Sequence, residues 1–317
     1  MKEHDSPIWP DSETSSTVPN KELLTAFQRI LINEAIPANK KILQNFSDVY
    51  LPLAKWVAQQ HQKKPVIIGI NGSQGSGKST LCKILSGLLQ QAFNKNIAIL
   101  SIDDLYKTQE QRLQMAESTH PLFATRGVPG THDVELGISV LKQLKQQNTP
   151  VLIPEFDKAT DDRRDKKYWQ TIDDNVDIIL FEGWCVGATP QDTYLLESAV
   201  NELEENHDSD LIWRKHINLK LATEYQKLFS LIDKLIMLKI PDFNKVIEWR
   251  TLQENKLRNI SNTITSGKVM SDKQLSQFIM HFERITKHTL NEMPVRADVI
   301  LDINDEHQIS KACLNKK

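Results

Sequence analysis

Six short apolar runs, largely β-branched, recur along the chain: VIIGI at 66–70, NIAILSI at 96–102, VLIP at 151–154, DIILFE at 177–182, KLIMLKI at 234–240 and DVILDI at 298–303. Stretches with apolar residues at helical spacing separate them. Runs without polar alternation mark strands covered on both faces, and their alternation with helices makes the sheet mainly parallel. The pattern predicts an α/β fold over residues 65–305, with helices layered on either side of the sheet.

Ahead of the first run, Leu23, Leu24, Phe27, Ile30 and Leu31, then Ile42, Phe46, Val49, Leu53, Trp56 and Val57, keep helical spacing around a break at Pro37. An N-terminal helical extension over residues 21–64, its stripe buried, is expected. Residues 1–20 are rich in Ser, Thr, Pro and acid and read as a disordered tail, residues 306–317 as a C-terminal tail. The acidic stretch NELEENHDSD at 201–210 reads as a solvated helix end or loop.

Composition narrows the function more than the fold. Across 317 residues, 39 Lys and Arg against 41 Asp and Glu leave a net charge of −2. That is no surplus for coating a phosphate backbone, so no nucleic-acid partner is expected. No apolar run approaches membrane-spanning length and no leader pattern opens the chain, so a soluble protein with no membrane partner is expected. Cys82, Cys185 and Cys313 are widely spaced without a CxxC pair, which argues against a disulfide framework or a zinc site and for a reducing, cytoplasmic setting. Cys185, in GWCVG, reads as an inert buried thiol rather than a nucleophile.

The chemistry concentrates at the ends of the predicted strands. Gly72-Ser73-Gln74-Gly75-Ser76-Gly77-Lys78-Ser79-Thr80 fits G-x-x-x-x-G-K-[ST] between the first strand and the apolar helix at 81–89. Glycines let successive N–H groups turn inward around a phosphate, and the following helix adds its positive end. Lys78 can reach the terminal phosphates of ATP, and Ser79 offers a hydroxyl to Mg²⁺. The fold expectation becomes a three-layer, P-loop NTPase-type α/β domain. The second strand ends in SIDDLY. Asp103 is the candidate base, with Asp104 its competitor, unless both cap a helix from about Lys107. The fourth strand ends in FEG, and Glu182 is the candidate metal-side carboxylate. Gly183 would let backbone pass close to a ligand, whereas Asp177 stands at the wrong end of that strand and reads as structural.

Two loops carry further polar groups, RGVPGTHD at 126–133 and PEFDK at 154–158. They suit a small polar acceptor, although Thr131 or Asp133 could simply cap the helix from Val134 and Arg126 could pair with a surface acid. A basic helix at 248–258, EWRTLQENKLR, can close over phosphates as a lid or be a solvated face.

Together GSQGSGKST, SIDDLY, RGVPGTHD, the Phe-Asp-Lys of PEFDK, Asp162-Arg163 six residues before Trp169, FEGW and EWRxxQE resemble the D-glycerate 3-kinase family, itself similar to phosphoribulokinase, uridine kinase and bacterial pantothenate kinase. The resemblance spans residues 65–303. It implies transfer of the γ-phosphate of ATP to the 3-hydroxyl of D-glycerate, with Lys78 and Ser79 serving ATP and Mg²⁺, Asp103 as base and Glu182 as second metal-side acid. It places Arg126, His132, Asp133, Asp157, Lys158 and Arg163 in the acceptor pocket and Arg250 at the start of the lid. The chain departs from the family in two places. Only three residues, ATD, separate Lys158 from Asp162, and Leu105 replaces a usual Phe. The short loop keeps open a same-fold kinase acting on a nucleoside, pantothenate or a sugar phosphate. The helical extension keeps open a P-loop protein whose nucleotide controls a partner.

Overall fold

The structure, a computed structural model, describes residues 21–34, 36–261 and 271–315; the tail expected over residues 1–20 lies outside them. Helix α1 (Lys21–Asn33) precedes α2 (Lys40–Asn45), which passes through one π turn, Phe46–Tyr50, into α3 (Leu51–Gln60). Then follow β1 (Val66–Gly72), α4 (Lys78–Phe93), β2 (Ile97–Ser101), a 3₁₀ turn (Ile102–Leu105), α5 (Gln109–Ser118) and α6 (Val134–Lys145). Short strands β3 (Val151–Ile153), β4 (Phe156–Asp157), β5 (Asp162–Arg163) and β6 (Gln170–Ile172) lead to β7 (Ile178–Gly183). The chain closes through α7 (Glu202–His207), α8 (Ile212–Lys220), α9 (Gln226–Phe229), β8 (Lys234–Lys239), α10 (Asn244–Ser261), α11 (Asp272–Glu292), β9 (Val299–Ile303) and β10 (Ile309–Leu314).

The main sheet runs β10-β9-β8-β1-β7-β2, parallel throughout except for the β9–β10 pair. Strand periodicity sorts its side chains onto two faces. Ile68, Ile70, Ile178, Leu180, Ile236 and Leu238 share one buried cluster with α1–α4 and α10. Ile67, Ile179 and Phe181 point the other way, into a cluster with α6, α8 and α9. The three-layer α/β architecture is therefore present. The helices expected before residue 64 belong to the first cluster: Phe27, Leu31, Leu51 and Leu53 are fully buried. Each such burial contributes about 1.5–3 kcal/mol.

Three expectations change. VLIP forms no strand of the main sheet; Val151–Ile153 pairs antiparallel with Gln170–Ile172, because β3 alternates buried, exposed, buried and can cover only one face. The C-terminal stretch is not all tail, since β10 adds to β9 and buries Ile309 and Ala312. The stretch at 201–210 is solvated only in part: most of it is exposed, but Leu203, Glu204 and Asp208 are buried, the two acids against Arg214 and, for Glu204, Arg284. Among the described residues no helix is long and apolar enough to cross a membrane.

Candidate active site

Parallel pairing brings the carboxyl ends of β1, β7 and β2 to one edge: Ile70 lies opposite Glu182, and Ser101 opposite Glu182 on the other side. A crevice at such an edge is where an open α/β sheet holds its ligand. A cleft of about 410 Å³ opens there, lined by Gln74, Gly75, Lys78, Ser79, Asp103, Asp104, Arg126, Lys158, Glu182 and Arg250.

Along the loop from β1 to α4 the backbone turns through φ +79° at Gly75 and +94° at Gly77, the left-handed region that favours glycine. Gly77 caps α4 without any side-chain hydrogen bond, leaving the first N–H groups of the helix to a ligand. Lys78 Nζ bends back to donate to the Ser73 carbonyl at 3.0 Å. The buried hydroxyls of Ser73 and Ser76 have no partner among the described residues. These are the features of a cradle shaped for phosphate oxygens. Ser79 Oγ donates to Glu182 Oε1 at 3.0 Å, which sets a hydroxyl and a carboxylate side by side. Such hard oxygen donors beside a phosphate cradle suit Mg²⁺. Packing requires glycine at 183: a Cβ there would collide with Ile102.

Helix capping does not occupy the two aspartates after β2, because α5 begins at Gln109 and is capped by Thr108 with Gln111 in a reciprocal box. Asp103 Oδ2 accepts from Lys158 Nζ at 2.7 Å and Oδ1 from the Tyr106 hydroxyl at 2.9 Å. Burial pushes this carboxyl up, but Lys158, Lys78 and Tyr106 outweigh it and bring it down to about 2. Asp104 is governed by burial, which raises it to about 6 against the opposing N–H of Phe156, bonded at 3.1 Å. Its folded pKa exceeds the ordinary 3.8, so the native state holds an extra proton between those values and loses stability as pH rises through that window. Asp104→Asn keeps an acceptor for the Phe156 N–H. It is expected to raise Tm above pH 6, with the gain vanishing below pH 4; an unaltered Tm at neutral pH would contradict the buried-charge account.

The six acceptor candidates divide. Arg126 and Lys158 line the cleft. Arg126 is ion-paired with Asp161 and lies over the Phe156 ring, 5.6 Å from its centroid. Asp161, in the short ATD loop, also takes Arg112 at 2.9 Å and so anchors that loop. The other four residues stand behind or beside the cleft. His132 is fully buried, its Nδ1 2.5 Å from the Tyr225 hydroxyl and its ring stacked on Tyr106 at 4.5 Å. Burial lowers it to about 3, so it is neutral. Asp133 caps α6 by accepting from Leu136 N–H, and pairs with Arg163 at 3.1 Å. Arg163 donates to the Tyr106 and Leu105 carbonyls, bracing the turn that carries Asp103. Asp157 accepts from Ala159 N–H inside its own turn. Asp177 is structural, accepting from Asn96 N–H at the far end of β7.

Sequence reading missed Tyr106 as the residue holding Asp103, Asp161 as the anchor of Arg126, and Phe278 and Phe282 of α11 as walls of the cleft. Phe278 and Phe282 stand four apart, a spacing indistinguishable from ordinary core. Cys185 is buried and its thiol pushed up, as expected of an inert one. In the helix expected as a lid, Arg250 lines the cleft, while the side chains from residue 253 on lie outside the described residues.

The cleft continues along the P-loop. A groove bounded by Gly77, Thr80, Trp249 and His307 shares Gly75, Lys78 and Ser79 with it. A further cavity of about 330 Å³ shares Gly77, Thr80 and His307 with the groove and is walled by Asn39, Ile42 and Tyr50 of the N-terminal helices and by Gln308.

Residues 67–251 match the phosphoribulokinase/uridine kinase family. An uncharacterized kinase of Schizosaccharomyces pombe is 35% identical over 228 residues, 69% of this chain and 79% of that one. The chloroplastic D-glycerate 3-kinase of Arabidopsis thaliana is 26% identical over 282 residues, 82% of this chain and 57% of that one. The D-glycerate 3-kinase structure from Cryptococcus neoformans superposes with a TM-score of 0.66 at 22% identity, covering 93% of this chain and 98% of the other, which shows a common fold.

Proposed function

Because this chain belongs to the phosphoribulokinase/uridine kinase family and is a kinase, we propose that it transfers the γ-phosphate of ATP to a hydroxyl of a small acceptor, with the 3-hydroxyl of D-glycerate the acceptor that fits best. One observation carries the reading: Lys78 and Ser79, the acids Asp103 and Glu182, and the cations Arg126 and Lys158 share a single cleft. A nucleotide switch needs the phosphate side of that cleft but has no task for the cationic side. A hydroxy acid needs such a side, since its carboxylate requires a cation.

The N–H groups and Lys78 hold the donor phosphates. Ser79 and Glu182 would hold Mg²⁺, which when bound neutralises charge on the phosphates. Asp103 takes the proton of the attacking hydroxyl, and Arg250 adds positive charge beside the transferring group. The groove and the cavity beyond it suit the ribose and base of the donor. Filling that cavity by Ile42→Trp is expected to raise KM for ATP about tenfold. Inhibition by tripolyphosphate should hold, since it spans only the P-loop; equal weakening of both would place the base elsewhere.

A second reading follows from the partners of the two cations. Arg126 has Asp161 and Lys158 has Asp103, so each cation of the acceptor side already has an anionic partner, which favours an uncharged acceptor such as a nucleoside. ADP formation from MgATP, measured without acceptor and then with D-glycerate, L-glycerate, uridine, pantothenate and ribulose 5-phosphate in turn, separates the readings. Acceleration by D-glycerate alone is expected. Acceleration by uridine alone would move the function to the second reading, and silence throughout would remove both acceptors.

A further inference from the structure

We propose that Lys158 masks Asp103 in the acceptor-free protein and that an anionic acceptor draws it away, making acceptor recognition and activation of the base one event. The inference rests on the kinase reading above, with Asp103 as base. Both oxygens of Asp103 carry a donor, Lys158 Nζ at 2.7 Å on Oδ2 and the Tyr106 hydroxyl at 2.9 Å on Oδ1. The two donors differ in mobility. Tyr106 is buried and stacked on His132, whereas the Lys158 side chain is 62% exposed on the turn between β4 and β5. An ion pair so open to water is held weakly, and a second anion in the same cleft competes for the ammonium.

Arg126 supplies the fixed point for such an anion. Its guanidinium is held by Asp161 over Phe156 and lines the same cleft, close enough to act electrostatically on Lys158. The acceptor's anionic group would settle between this rigid cation and the movable one. While Lys158 stays on Asp103, the carboxyl is held at about 2, a poor destination for a hydroxyl proton. Once it leaves, burial acts upward against the pull of Lys78 and Tyr106. The acceptor hydroxyl then gives its proton to Asp103 as its oxygen bonds the γ-phosphorus. The bond from that phosphorus to the β–γ bridging oxygen breaks, and ADP leaves with the electron pair. Water brings no anionic group, so it leaves the mask in place and ATP is spared hydrolysis.

Lys158→Met is the test, read in the full chain with MgATP. Phosphate release without acceptor should rise about tenfold, general-base help being worth at least that much. The KM for D-glycerate should rise tenfold or more. The preference for D-glycerate over glycerol, a neutral molecule with the same hydroxyls, should shrink. Adding Asp103→Asn to Lys158→Met should return phosphate release to the level of Asp103→Asn alone. Lys158→Gln, which keeps a polar tip at an exposed position, should act in the same direction. If native protein phosphorylates an acceptor while both Lys158 variants release no more phosphate than native without one, the masking role is overturned and the kinase reading stands. If native protein binds MgATP but phosphorylates nothing in the panel, the acceptor assignment fails, and this inference, which needs an anionic acceptor, fails with it.

Discussion

Asp103→Asn is expected to bind MgATP as the native protein does and to lose turnover by about 10²–10⁴-fold, the usual contribution of a general base. The loss should be confined to chemistry because the hydrogen bonds of the Asp103 carboxylate go to Lys158 and Tyr106, while Lys78 bonds Ser73 and Ser79 bonds Glu182. Asparagine keeps an oxygen for the Tyr106 hydroxyl, so the turn after β2 should hold its shape. It cannot take a proton, and that is the property under test. Single-turnover ADP formation, set beside titration with a fluorescent ATP analogue, separates the two effects. Turnover within a few-fold of native would remove Asp103 as base and move the role to Asp104, whose carboxyl sits nearer neutrality at about 6.

Glu204→Ala is expected to destabilise the fold by about 3–5 kcal/mol, the cost of breaking a buried ion network from one side. Glu204 is 1% exposed and accepts from Arg284 Nε at 2.7 Å and Nη2 at 2.6 Å, with Arg214 Nη1 at 3.6 Å. Arg214 retains Asp208, bonded at 2.7 Å. Among the described residues Arg284 would keep only neutral acceptors, including the Leu195 and Ser198 carbonyls, and its buried charge would be uncompensated. Urea unfolding followed by circular dichroism measures the loss, and a change below about 1 kcal/mol would make the network dispensable. The consequence reaches the active site, because Arg284 shares α11 with Phe278 and Phe282, which wall the cleft. Activity of this variant should therefore fail on heating before that of the native protein, with KM for ATP unchanged at low temperature.

Most of the layered architecture was legible in the chain because buried parallel strands leave a plain trace. Five of the six apolar runs lie in the main sheet, and their end residues, Gly72, Asp103 and Glu182, stand where connections at the carboxyl edge must gather. The sixth, VLIP, misled because three strand residues are too few to show whether one face or two are covered. Strand β10 was illegible for a related reason: at the sheet edge its burial alternates irregularly and four of its six residues are only partly buried.

By itself the sequence determined the P-loop, the order of five main-sheet strands along the chain, and which loops carry charge, since all of these follow from local spacing and backbone preference. The tertiary structure decided which of those charges face the cleft. His132 and Arg163 come from loops as polar as those of Arg126 and Lys158. Yet His132 is enclosed behind Tyr106, and Arg163 is spent on backbone carbonyls. It also set the two neighbouring aspartates apart, one drawn down by a lysine 55 residues on, the other raised by burial. Proton affinity and access depend on what folds against a side chain from distant segments, and local spacing carries no record of that.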